Sequence, residues 1–410
     1  MKAVTLEEAR HRWNGALAPR IPSIEYVSPQ QAYGRIVGQD IRAIHPYPPY
    51  RKSPFDGYAL HLDTQCRTYE IIATIGAGML YTSPVAPGQA VRLMTGCAVP
   101  DSCNTVIMQE QTIRTGHTLE ITVPLQAGDN IVPAGEECRR GDLLLPHGTY
   151  LTSGDVSVAV GMGNTQIPVY QDIRVLLLTS GREVVLPGEV RHAGQIYNSN
   201  AFFFRQLLIE EGIHSVSFYH VTDDPARLES EIEAVRNLAA QADLIISTGG
   251  VSVGLFDTMP QIYEALGAHC LYNRIAMRPG SASYGGIIER KDDPPRAVLG
   301  LSGNPAAAFN AYHLLAVPVL RRMRGEKDSD FPVITCRMHG SINKKNPVER
   351  FVQGHVSFDK GEAFFTPNHV ITSSALLGLA HTNGLAILPK GDLPCRDGQT
   401  VRVLLLKRLS

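Results

Sequence analysis

Between residues 172 and 326 one pattern repeats, and it constrains the fold more than any other feature of the chain. An apolar run ends in a small, glycine-bearing turn, and a helix-forming stretch follows. Residues 173–178 run into Thr179-Ser180-Gly181, residues 244–247 into Thr248-Gly249-Gly250-Val251-Ser252-Val253-Gly254, and residues 297–301 into Ser302-Gly303-Asn304-Pro305. A further run, 216–221, leads to Asp223-Asp224-Pro225. Strands that are apolar on both faces are buried on both faces, and their alternation with helices predicts a doubly wound α/β domain with a parallel sheet. The helix signals agree. Asn198-Ser199-Asn200 is a cap, Gly212 a stop, and Asp224-Pro225 an opening with proline at the first helical position.

The rest of the chain reads differently. Residues 5–10 begin an amphipathic helix with Thr5 as its cap, and an extended segment follows. His45-Pro46-Tyr47-Pro48-Pro49-Tyr50 fits neither a helix nor a central strand. From about 55 to 145 short β-like runs (68–73, 90–94, 105–108, 119–123) are separated by Pro-Gly, Pro-Asp and Gly-Asp turns, which predicts a small β domain. Residues 141–171 carry a helix from near Ser153 and are expected to return and pack on the N-terminal helix. After a charged linker at 324–330, β-like runs resume to the end and predict a C-terminal β-barrel or sandwich. A chain of 410 residues exceeds what one core holds. The expected organisation is an α/β multidomain protein: an N-terminal linker and helical domain (1–50 with 141–171), an inserted small β domain (51–140), the α/β domain (172–326) and a C-terminal β domain (327–410).

Charge and cysteines narrow the function classes. The formal net charge is -1 and the basic residues are scattered, so no basic field favours nucleic acid. The N-terminus lacks the apolar stretch of a signal peptide, and no run of about 18 apolar residues predicts a membrane span. Seven cysteines without a Cys-x-x-Cys pair read as reduced thiols in a cytoplasmic protein, without a zinc site.

In a doubly wound sheet, ligands bind outside the carboxyl ends of the strands. Glycine lets a backbone approach an anion, and a following helix presents free N–H groups. One such turn is as readily only a turn; three in one domain favour an anion site. Glu183, Asp223, Asp224 and Asp257 lie near these ends. Each has a plain alternative: Asp224 and Asp223 as helix caps, Glu183 and Asp257 as solvated acids. Together they favour a Mg²⁺ site that shares carboxylates with phosphate oxygens. Asp56-Gly57 and Thr95-Gly96, taken alone, are turns.

With these residues in view, the sequence resembles the molybdopterin molybdenumtransferases, the family of the bacterial MoeA proteins and the gephyrin E domain. The matching blocks are Ser53-Pro54-Phe55-Asp56-Gly57-Tyr58-Ala59, Arg92-Leu93-Met94-Thr95-Gly96, Val106-Ile107-Met108-Gln109-Glu110, Thr179-Ser180-Gly181-Arg182-Glu183, Leu186-Pro187-Gly188 and residues 194–200, followed by Asp223-Asp224-Pro225, residues 247–257 and Gly300-Leu301-Ser302-Gly303-Asn304-Pro305. The resemblance implies a homodimer in which adenylylated molybdopterin and molybdate give molybdenum cofactor and AMP, with Mg²⁺. A molybdopterin adenylyltransferase is the implied delivery partner. It implies catalytic roles for Asp56, Thr95, Glu183, Asp223 and Asp257, with Asp56 and Thr95 reaching a partner subunit's cleft. Glu183, Asp223 and Asp257 would hold the metal. Ser180, Gly181, Thr248, Gly249, Gly250, Ser252, Gly254, Arg278, Ser281, Ser302, Gly303, Asn304 and Pro305 would hold the pterin ligand.

Five positions depart from the family pattern. Arg278 and Ser281 stand where lysines are usual, Ser302 where a proline, Glu137 where an aspartate and Gln353 where an arginine is usual. Loss of two cations motivates a competing reading, a molybdopterin-binding paralogue that does not insert metal. A tungstate-using variant is the other alternative.

Overall fold

The structure, a computed structural model, describes residues 2–17, 22–63, 65–251, 258–291, 293–327, 329–343, 346–391 and 394–406. The chain forms two compact units, one of Met1–Gln39, His147–Val156 and Thr165–Ser410, the other of Asp40–Pro146 and Ser157–Asn164.

The first unit is built on a six-stranded sheet. Its strands in chain order are β1 (Val175–Ser180), β2 (Val216–Val221), β3 (Leu244–Thr248), β4 (His269–Tyr272), β5 (Tyr284–Ile288) and β6 (Arg296–Leu301), and their spatial order is β2-β1-β3-β6-β5-β4. Helix α1 (Ser199–Glu210) links β1 to β2, α2 (Leu228–Ala239) lies between β2 and β3, α3 (Met259–Ala265) follows β3, and α4 (Pro305–Ala311) follows β6. The apolar runs are continuous because both faces are covered. Val175 and Leu177 pack with Phe204 and Leu208 in one core, while Leu176 and Leu178 pack with Val235 and Ile262 in another. Each such leucine stabilises the fold by roughly 1.5–3 kcal/mol through its burial. From β1 the chain passes to one side for β2 and to the other for β3. The carboxyl ends of β1 and β3 therefore flank the point where strand order reverses, which is where a crevice opens.

The sheet is mixed, not parallel throughout as the sequence suggests. β2, β1, β3 and β6 run parallel, but β5 is antiparallel to β6 and β4 antiparallel to β5. The edge hairpin is hidden in the sequence because β5 carries Gly285 and Gly286, residues that weaken a strand signal. A Cβ at Gly285 would collide with the ring of Tyr272 on β4, so glycine is what lets that ring lie against the strand.

That edge also redirects the N-terminus. The helix Leu6–Ala16 starts with a capping box, Thr5 and Glu8 each accepting from the other's backbone N–H. Its Ala9 and Trp13 enter the core of the α/β sheet, and the Trp13 indole donates to the Tyr272 hydroxyl at 2.8 Å. The returning segment does not pack on this helix as expected. Its strand Ile167–Tyr170 pairs antiparallel with Ile24–Val27. The helix's apolar stripe is occupied by the β4 edge.

At the C-terminus, Glu349–Asp359, Glu362–Pro367, Val333–Met338, Thr400–Leu405 and Gly384–Leu388 pair in that order, and the last closes back on the first. Closure leaves no free edge. The stretch expected as a charged linker is stitched down instead. Arg324 is 2% exposed; it donates to the Gly34 carbonyl at 2.7 Å, to the Glu211 carbonyl, and to Asp172 at 3.1 Å.

The second unit holds a six-stranded sheet in the order Thr105–Met108, Gly57–Leu60, Gln89–Leu93, Thr68–Ile75, Thr118–Ile121, Thr112–Thr115, with an apolar core on each face.

Candidate functional site

The carboxyl ends of β1, β2, β3 and β6 converge on a cavity of about 870 Å³. A larger cleft, about 1020 Å³, lies elsewhere in the same unit, but polar groups in its wall are paired with one another: Arg321 forks onto Glu211 at 2.8 and 2.9 Å, and Asp155 accepts from Thr152. The strand-end cavity has the chemistry.

Its floor is glycine. Gly249 and Gly250 have φ of 93° and 57°, left-handed values that other residues adopt reluctantly. A Cβ at Gly249 would sit 2.6 Å from the Ser180 carbonyl oxygen, and one at Gly250 2.6 Å from the Ser180 hydroxyl. Gly303 meets Gly249 from the third turn, where an added Cβ would lie 3.3 Å from the Gly249 Cα. Asn200, at the start of α1, donates from one side-chain amide to the Thr248 hydroxyl at 2.8 Å and the Gly303 carbonyl at 2.9 Å. The Thr248 hydroxyl donates onward to the Ser302 carbonyl at 3.0 Å. One asparagine thus clamps the β3 and β6 turns together. Asn198 is the helix cap, accepting from Ala201 N–H and donating to the Thr179 hydroxyl, which bonds the His220 ring at 2.8 Å.

The Ser180 hydroxyl is buried and has no hydrogen-bond partner among the described residues. A native protein rarely leaves such a group unpaired, since it costs about 1–3 kcal/mol. Its position at the glycine floor suits a ligand acceptor. Two carboxylates lie beside glycines of the strand-end turns, Glu183 at Gly181 and Asp223 at Gly250. Both Glu183 carboxylate oxygens lie within 3.0 Å of where a Gly181 Cβ would stand, and Asp223 Oδ1 lies 3.6 Å from a Gly250 Cβ. Asp223 Oδ1 also accepts from the Thr258 hydroxyl at 2.6 Å, and its carbonyl accepts from Arg182. Asp224 caps the turn at Pro225, accepting from Ala226 N–H at 3.1 Å, and pairs with Arg182 at 3.2 Å. The two carboxylates offer hard oxygen donors, the chemistry Mg²⁺ takes, although among the described residues no group of three or more such side chains is gathered.

Of the residues singled out in the sequence, Ser180, Gly181, Glu183, Asp223, Thr248, Gly249, Gly250, Ser302, Gly303, Asn304 and Pro305 all line this cavity. Ser252, Gly254 and Asp257 lie outside the described residues. Arg278 and Ser281 are not in its wall. Arg278 sits on a two-residue strand paired with Glu349 and Arg350, and the Ser281 carbonyl accepts from Ile275 and Ser283. Gln353 is buried and holds α4, donating to the Ala306 carbonyl at 2.7 Å and to Asn310 at 2.8 Å. Asp56 and Thr95 belong to the second unit. There both the Thr95 N–H and its hydroxyl donate to Asp56 Oδ1, at 2.7 and 2.8 Å, and these bonds, the backbone one first, hold the Asp56 carboxyl below its usual range.

Sequence reasoning missed Arg191, Ser374 and Leu376 in the wall, and carried Gln195 only as part of a matching block without a site role. Ser374 and Leu376 come from a loop with no motif, held against α4 by the Ala307 N–H bond to the Ser373 carbonyl at 3.1 Å.

Family models described as the MoeA N-terminal region (domain I and II), the probable molybdopterin binding domain and the MoeA C-terminal region (domain IV) match residues 4–163, 176–322 and 335–406. The molybdopterin molybdenumtransferase of Staphylococcus aureus (strain COL) is 32% identical over 386 residues, covering 92% of this chain and 90% of its own. The chain belongs to the molybdopterin molybdenumtransferase family. The Staphylococcus epidermidis (strain ATCC 12228) member is 33% identical over 382 residues, 92% of this chain and 89% of its own. The crystal structure of the molybdopterin biosynthesis MoeA protein from Pyrococcus horikoshii OT3 shares the fold, with a TM-score of 0.79 at 24% identity over 98% of this chain and all of that one. The family is one of transferases in molybdenum cofactor biosynthesis, and the cavity's glycine floor falls inside the segment matched as the probable molybdopterin binding domain, while Ser374 and Leu376 of its wall lie beyond it. Among the described residues no helix is long and apolar enough to cross a membrane.

Proposed function

We propose that this chain transfers molybdenum from molybdate to adenylylated molybdopterin and releases AMP, with Mg²⁺, as a cytoplasmic homodimer supplied by a molybdopterin adenylyltransferase. The observation that carries the reading is the meeting of three strand-end turns around an unpartnered, buried Ser180 hydroxyl.

In this reading the turns at Gly249-Gly250 and Gly303-Asn304 bring backbone close to the ligand's phosphate oxygens, and Ser180 donates to one of them. Asn200 keeps both turns at a fixed spacing, so the cradle is organised before the ligand arrives. Glu183 and Asp223, with Asp257, are the residues that would hold Mg²⁺. The bound cation would neutralise charge as the phosphoanhydride is cleaved. Asp56 and Thr95 are assigned to the same reaction. Their hydrogen bonds keep Asp56 ionised and fix its orientation.

The test mixes purified protein with adenylylated molybdopterin, Mg²⁺ and molybdate, and follows AMP release and cofactor formation together. Both products should appear, and a chelator should suppress them. A second reading, favoured by Ser281 in place of a lysine, is a pterin-binding paralogue without turnover; it predicts ligand binding with neither product. Tungstate in place of molybdate, run in parallel, identifies which anion is used.

A further inference from the structure

The described wall of the strand-end cavity carries two carboxylates, Glu183 and Asp223, yet the ligand proposed for it is an anion. Arg278, a cation the sequence suggested for this role, is not in the wall. Arg182, adjacent to the cavity, is already spent on the Asp223 carbonyl and the Asp224 carboxylate. Among the described lining residues one guanidinium remains, that of Arg191.

Arg191 lies between the short strands Val184–Val185 and Ile196–Tyr197, which pair in parallel. The intervening segment is held by two side-chain-closed turns. Glu189 accepts from the Leu186 N–H at 2.8 Å, and Gln195 accepts from the His192 N–H at 2.9 Å. The Tyr197 hydroxyl adds a bond to the Glu189 carbonyl at 3.3 Å. Arg191 Nη1 donates across the second turn to the Gln195 carbonyl at 2.9 Å, which ties the guanidinium to the cavity wall. Among the described residues no carboxylate pairs with it, so its remaining N–H groups are unspent. A guanidinium is a planar fork that matches phosphate oxygens, and a tethered one loses less freedom on binding than a loose surface side chain.

We propose that Arg191 is the anion-binding side chain of this cavity and holds a phosphate oxygen of the pterin substrate. The proposal rests on the functional reading above. It supplies a cation for the ligand in a wall whose other described lining residues carry only negative side-chain charge.

The experiment follows binding of molybdopterin to the full-length protein through the pterin's own fluorescence, for wild type, Arg191→Gln and Arg191→Lys, with melting temperatures alongside. Arg191→Gln should weaken binding about ten- to hundredfold, the range for losing a hydrogen bond to a charged group. Arg191→Lys should retain more affinity than Arg191→Gln, and all three proteins should melt alike because the side chain is exposed. Inorganic pyrophosphate should displace the pterin from wild type more readily than from Arg191→Gln. Equal pterin affinity in wild type and Arg191→Gln overturns the role of Arg191 and leaves the functional reading intact. A wild-type protein that binds no molybdopterin overturns that reading and this proposal with it.

Discussion

Ser180 and Asn200 show how single residues divide between stability and binding. The Ser180 hydroxyl is buried without a partner, so it disfavours the ligand-free fold and favours the complex. Ser180→Ala should therefore move two measurements in opposite directions. Chemical denaturation should show stability unchanged or raised by up to about 1 kcal/mol, while molybdopterin affinity falls about tenfold. Loss of both stability and affinity would mark the hydroxyl as structural. Asn200→Ala removes two donors that join the β3 and β6 turns. It should cost about 1–2 kcal/mol in denaturant unfolding and weaken pterin binding, because the cradle is no longer held at one spacing. Unchanged binding would show that Thr248 alone sets that spacing. The two asparagines of this helix start differ in legibility. Asn198 caps a backbone N–H three residues on, a local relation that residue order displays. Asn200 reaches partners 48 and 103 residues away, so its role exists only once the sheet has formed.

At the scale of elements, α4 continues through a π-helical turn, Tyr312–Ala316, into the helix Val317–Met323. His313 in that turn is buried among Phe309, Tyr312 and Phe331, with Glu211 and Arg321 the charged groups that act on it. Burial lowers its pKa from 6.5 to about 4, against the smaller opposing effect of its bond to the Phe309 carbonyl. The folded protein thus keeps His313 neutral where the unfolded chain already takes up a proton. Its contribution to stability is complete above pH 6.5 and is lost as pH falls toward 4, by at most about 3 kcal/mol. Urea unfolding of wild type between pH 7 and 4 should show this loss, and His313→Gln should flatten it; parallel slopes would assign acid sensitivity to other groups. The same scale shows why elements were read or missed. β1, β3 and β6 are apolar on both faces and stand out, whereas β5 is half-hidden by Gly286 and by Gly285, which admits Tyr272.

For the whole molecule, Arg324 gathers distant segments: Gly34, Asp172 and Glu211 are 290, 152 and 113 residues away. Arg324→Met leaves two carbonyls and the largely buried Asp172 carboxylate short of a donor, and should destabilise the protein by about 3–5 kcal/mol in equilibrium unfolding. A change below about 1 kcal/mol would show that water replaces the guanidinium there. The residue order alone determined the α/β character of the central region, the β character of the flanking parts and the three glycine-bearing turns. Apolar periodicity, caps and turn chemistry act over a few residues, so they can be read along the chain. Only the tertiary structure decided that β4 and β5 turn the sheet mixed, that a run of charges becomes a buried brace at Arg324, and which polar side chains face one cavity. Those outcomes depend on which distant backbone and side-chain groups meet once apolar surface is buried, and no local pattern encodes that meeting.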